Sequence, residues 1–187
     1  MKFNKRLMKQ SLILASLLFL VMVSYAGASA LSLPKVKQEK TNWCWVASSI
    51  MILKFYGINN VSQCEFYKTA KKASSCENNT GYNYESQRGM HTYGVSSNEY
   101  SGALDAGTLS QQVVTSSRPV YVNWQWTAGG GHAVVAKWTE YYSNTNYVSY
   151  NDPWDGTSNT MAYNSFKGGS GYDRRWDSGL KDMWHYK

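Results

Sequence analysis

Gln38-Glu39-Lys40-Thr41-Asn42-Trp43-Cys44-Trp45-Val46-Ala47-Ser48-Ser49-Ile50-Met51-Ile52-Leu53 organises the reading of the whole chain. Val46, Ile50, Leu53 and Tyr56 recur at helical spacing before Gly57 ends the run, so a helix is predicted to open here with Thr41 or Asn42 as its cap. Cys44 then falls in the first turn. Unpaired N–H groups and the positive end of the helix dipole favour an anion at that place. A sulfur attacks as its thiolate, so residue type and position agree with nucleophilic chemistry.

On the N-terminal side, Lys2, Lys5, Arg6 and Lys9 precede an apolar run over 12–23, and Ala28-Ser29-Ala30 has the small-residue form of a cleavage site. Residues 1–30 are therefore expected to be a signal peptide cut near Ala30. The apolar run is short for a membrane span of about 20 residues. Residues 31–187 are expected to form one secreted domain without stable membrane insertion, most simply a monomer. Of 19 Lys and Arg, four lie in that leader, leaving 15 against 12 Asp and Glu. No basic stripe remains to suggest nucleic acid. Three cysteines in an exported chain cannot all pair with one another. Their pairing is not readable directly, but Cys64 and Cys76 bracket a short polar loop, which suggests a disulfide there and a free thiol at Cys44.

Farther along, Ser62 followed by Glu65 is a capping-box pattern opening a second helix that runs to about Lys72. Residues 74–101 are polar and read mostly as loop, and a short helix is expected over 109–115. The period then changes. Residues 119–124, 132–138 and 147–150 read as strands, with Gly129-Gly130-Gly131 as the first turn and Asp152-Pro153-Trp154-Asp155-Gly156 breaking the third. Residues 157–187 are rich in Gly and aromatics, with strand-like pieces left unplaced. Helices first and strands later predict an α+β fold, helical over about 31–117 and β over about 118–187.

A thiolate needs a base beside it and, in turn, a group that orients the base. Of three histidines, His91 lies in a polar segment and His185 near the end of the chain. His132 follows three glycines and opens the apolar strand Ala133-Val134-Val135-Ala136, which would hold it rigidly. Asp152 closes the following strand and is the expected orienting residue, with Asn151 as the alternative; strand alternation lets only one face the imidazole. Gln38, six residues before Cys44, is the candidate oxyanion donor together with the Cys44 N–H.

Gln38-x5-Cys44-Trp45, then Gly131-His132-Ala133-Val134-Val135, then Asn151-Asp152-Pro153-Trp154 resembles the papain-like cysteine peptidases in both residue type and order. The likeness is to the compact bacterial branch: peptidases that trim bacteriocin leaders, and staphopain-related effector proteases. It covers Gln38 to about Trp154. The resemblance implies a papain-like fold, hydrolysis of a peptide or protein substrate by a Cys-His-Asp triad with a Gln oxyanion donor, and no cofactor. Trp43, Trp45, Gly131 and Trp154 are then expected to contact substrate. Asn42-Trp43 stands where papain has glycine and serine, and only 13 residues separate the expected cleavage point from Cys44. Control by redox state or by a separate proteinaceous inhibitor is expected in place of a long N-terminal plug.

Two rival readings stand beside this one. A peptidoglycan amidase or endopeptidase would use the same thiol–imidazole chemistry, and an inactivated scaffold would leave an aromatic-rich binding protein with Cys44 as a buried or bridged thiol. Asp152, Asp155 and Gly156 lack the remaining oxygen ligands of a calcium loop, and no Cys/His spacing suits zinc, so no metal is expected.

Overall fold

The computed structural model describes residues 29–186; the expected leader, up to residue 28, lies outside the described residues. Three helices come first: α1 (Cys44–Phe55), α2 (Gln63–Lys71) and α3 (Asn83–Thr92). Strand β1 (Val95–Ser101), the short helix α4 (Ala106–Ser110) and a π-helical turn (Gln111–Thr115) lead into the β half. There β2 (Val120–Trp126), β3 (Gly131–Tyr142), β4 (Thr145–Asp152), β5 (Thr157–Ala162), the short helix α5 (Tyr163–Lys167) and β6 (Arg174–His185) follow. The strands make one antiparallel sheet in the order β1-β6-β2-β3-β4-β5. This is an α+β arrangement.

The local reasons are visible in the side chains. Ser62 Oγ accepts from the Glu65 N–H while the Glu65 carboxylate accepts from the Ser62 N–H, closing the capping box of α2. At α1 the expected cap is corrected. Trp43 takes the cap position without a side-chain bond, because Asn42 is tied through its backbone N–H and side-chain amide to Asn78. From Trp45 to Leu53 α1 is buried on every side, which makes it the central helix. Of residues 74–101, expected mostly as loop, 74–82 carry no helix or strand, while 83–101 are corrected to α3 and β1, whose buried positions include small and polar side chains such as Ser86, Gly89 and Ser97 in place of an apolar stripe.

In β3, successive apolar residues serve different layers, as the strand period of two requires. Ala133 and Val135 join the core beneath α1, with Met51, Leu53 and Phe66. Val134 and Ala136 face the opposite core, with Val122, Phe166 and Trp176. The segment before α1 is strapped to the β half. Asn151 Nδ2 donates to the Leu33 and Pro34 carbonyls, and the Gln38 N–H donates to Pro153 O. Gln63 holds the same strap from α2, donating to Lys37 O and accepting from the Glu39 N–H. Cys64 and Cys76 form a disulfide that ties α2 to the following loop. Among the described residues no helix is long and apolar enough to cross a membrane.

Candidate active site

The first residue of α1 and the start of β3 meet at the mouth of a cleft of about 940 Å³ between the helices and the sheet. Cys44 is a free thiol, partly exposed, at the N-terminal end of α1. Its backbone N–H is one of the first-turn amides left without an intrahelical acceptor. One turn later the buried Ser48 Oγ donates to Ala133 O at 3.0 Å, which pins α1 to β3 beside His132 and fixes the separation of the two candidate side chains. No sequence expectation singled out Ser48, although its i+4 spacing from Cys44 places it on the same helix face.

His132 lies between two partners. Its Nε2 is 2.7 Å from Asp152 Oδ1, which leaves Nδ1 for the Cys44 sulfur, a neighbour close enough to favour the protonated ring. Burial disfavours the imidazolium and is the largest single influence, but the hydrogen bond to Asp152, the neighbouring Cys44 sulfur and the charges of both outweigh it. The ring is pushed up to about 9 from its ordinary 6.5. Asp152 Oδ1 also accepts from the Trp154 N–H at 2.9 Å, so the carboxylate is oriented from the turn that follows β4. Trp124 and Trp126 each lie 6.2 Å from the imidazole, ring centre to ring centre, and close it off from the sheet side. Asn151 projects to the opposite face of β4, fully buried on the N-terminal strap, and is not the residue facing His132.

Gln38 is placed differently from the other candidates. Its Nε2 donates to Lys40 O and Thr41 O at 2.9 and 2.8 Å, shaping the turn into α1, and its side chain is not among those lining the cleft. The buried Gln38 Oε1 has no partner among the described residues. Of the four expected contact residues, Trp45, Gly131 and Trp154 line the cleft. Trp43 does not: it is 1% exposed, stacks on Tyr67 and donates its indole N–H to Glu77 O, so it belongs to the helical core. The helical wall of the cleft includes Gly81, whose missing Cβ admits the Trp45 ring; a Cβ there would lie 2.2 Å from Trp45 Cδ2. Beneath Cys44, burial first and then the neighbouring sulfur push the Tyr121 phenol well above its ordinary range, so it stays neutral.

A nucleophile, an imidazole and a carboxylate in this order can carry acyl transfer: attack by sulfur, proton delivery to a leaving amine, and hydrolysis of the thioester. The family model described as papain-like cysteine protease AvrRpt2 matches residues 28–169. Among solved structures, the fold is similar to a double glycine motif protease from an AMS/PCAT transporter, solved in complex with the leader peptide. The TM-score is 0.53 at 18% identity, over 85% of this chain and 96% of that one. The Pseudomonas avirulence protein AvrPphB aligns at 11% identity and a TM-score of 0.40, over 82% of this chain and 97% of that one. No curated protein matches the sequence.

Proposed function

Because the chain belongs to the papain-like cysteine proteases of the AvrRpt2 family, we propose that Cys44, His132 and Asp152 are the groups with which it cleaves peptide bonds. The single observation carrying this reading is the imidazole of His132 held 2.7 Å from the Asp152 carboxylate in the cleft that the free Cys44 thiol also lines, at the N-terminal end of α1.

In this reading His132 carries the proton and Cys44 is the thiolate. The sulfur attacks the scissile carbonyl carbon, and the electron pair of the C=O bond moves to oxygen. The free Cys44 N–H at the start of α1 donates to that oxyanion. Gln38 supplies a second donor once its amide exchanges one of the Lys40 and Thr41 carbonyls for the oxyanion. His132 Nδ1 gives its proton to the leaving amine, the C–N bond breaks, and a thioester remains on Cys44. The neutral imidazole then takes a proton from water, which attacks the thioester and releases the acid. Asp152 holds the ring with Nδ1 toward sulfur throughout. Trp45, Gly131 and Trp154 bound the peptide's path.

The basic start, the apolar run and the Ala28-Ser29-Ala30 pattern support secretion, with cleavage after Ala30 leaving Leu31 as the first residue. The proposed mature protein is a secreted monomer acting on peptides or proteins, under redox control or a separate proteinaceous inhibitor. Incubation of the reduced mature protein with casein, a peptide mixture and purified cell wall tests the reaction. Cleavage of casein or peptides that is lost in Cys44→Ser supports the proposal; release of cell-wall fragments alone would replace it with the amidase reading.

A further inference from the structure

Three carboxylates line the cleft: Asp152, Asp177 and Glu99. Asp152 is engaged by His132, and Asp177 pairs with Arg175 at 3.0 Å. Glu99 has no cationic partner among the described residues. It is nevertheless held in place: Glu99 Oε1 accepts from Asn83 Nδ2 at 2.9 Å. Asn83 is itself only 6% exposed, donates to Ser178 Oγ as well and accepts from Asn123 Nδ2. A charge positioned by a buried amide network, in a cleft and without a counter-ion, is prepared for a cation that arrives from outside.

We propose that Glu99 selects peptides carrying a lysine or arginine close to the bond that is cut, an inference that rests on the peptidase reading of the cleft. The sheet order gives the reach. From His132 on β3 to Glu99 on β1 the path crosses β2 and β6, three inter-strand steps of about 4.8 Å each. An extended peptide advances about 3.4 Å per residue. A long basic side chain two or three residues from the scissile bond therefore spans the distance. Tyr82 and Tyr84 flank Asn83 on the same wall, stacked and exposed, and give its methylene stem an apolar surface to lie on while the charged head meets Glu99.

The test is digestion of a proteome-derived peptide library by the mature protein, with every cleavage site mapped, repeated for Glu99→Gln and Glu99→Lys. Cys44 labelling by iodoacetamide is measured in each batch. The expected result is about tenfold enrichment of Lys and Arg at one position within three residues of the cut, the size of one charged hydrogen bond. Glu99→Gln should cut the same library without that preference, and Glu99→Lys should favour acidic residues there. Glu99 is exposed, so both variants should keep the wild-type Tm. Cleavage without a basic preference, or a preference that survives in Glu99→Gln, overturns the assignment and leaves the peptidase reading intact. No cleavage with Cys44 reactive also overturns it, since the library holds basic residues in every context. No cleavage with Cys44 unreactive overturns both.

Discussion

Replacing Asp152 with alanine removes the acceptor 2.7 Å from His132 Nε2 and leaves the ring with Cys44 as its remaining partner. The imidazole is held at about 9 against an ordinary 6.5. A difference of that size amounts to roughly 3 kcal/mol in favour of the charged ring. Burial is the largest influence and opposes the charge; the Asp152 hydrogen bond leads the group that overcomes it. With Asp152 gone, burial regains ground and the ring should lose its proton about two pH units lower. The assay is kcat/KM for a peptide reporter from about pH 5 to about pH 10, with the His132 ring followed by NMR. The wild type should lose activity as pH rises through about 9. In Asp152→Ala that limb should fall to near pH 7, which lowers kcat/KM about tenfold at pH 8 and less at pH 6. Asp152→Asn keeps an acceptor without the charge and should fall between the two. Stability follows the same sign. A raised histidine contributes fully below about 6.5 and loses its contribution as pH climbs through about 9, so the wild type should lose more stability across that window than Asp152→Ala. An upper limb that stays near 9 in Asp152→Ala would refute the role given to the carboxylate.

Other substitutions separate chemistry from architecture. Gln38→Ala should lower kcat about a hundredfold if its amide reaches the oxyanion; a loss of thermal stability with kcat unchanged would restrict Gln38 to holding the Lys40 and Thr41 carbonyls. Gly81→Ala puts a Cβ against the Trp45 ring and should cost about 1–3 kcal/mol in denaturant unfolding, with an unchanged midpoint counting against the packing described. Cys64→Ser combined with Cys76→Ser opens the disulfide loop and should cost about 3 kcal/mol while Cys44 stays reactive; equal stability with and without reductant in the wild type would contradict it.

The parts of the fold legible from sequence are those specified by nearby residues. Ser62 and Glu65 cap α2 by a contact three residues long, and the glycines at 129–131 connect two strands that pair directly. The segment 83–101 is illegible because its packing relies on small residues: Gly89 admits the Phe66 ring against the backbone of α3, and β1 is a polar edge strand with few buried positions. β6 cannot be placed from its own residues, since it lies between β1 and β2, both far from it in the chain. Strand alternation lets one of Asn151 and Asp152 face His132 without saying which, because the choice depends on where the N-terminal strap crosses β4. The position of Trp43 beside Cys44 suggests a cleft residue; the partners that bury it, Tyr67 on α2 and Glu77 in the loop that follows, reach it through packing between segments that no local pattern gives.

The rate at which Cys44 is alkylated by iodoacetamide near neutral pH, in the wild type and in His132→Ala, tests most directly whether sulfur and imidazole act as a pair. Pairing predicts rapid modification mapped to Cys44 and a loss of at least about tenfold in rate when the ring is removed. Equal rates in the two proteins, or a Cys44 found bridged to another sulfur, would contradict it.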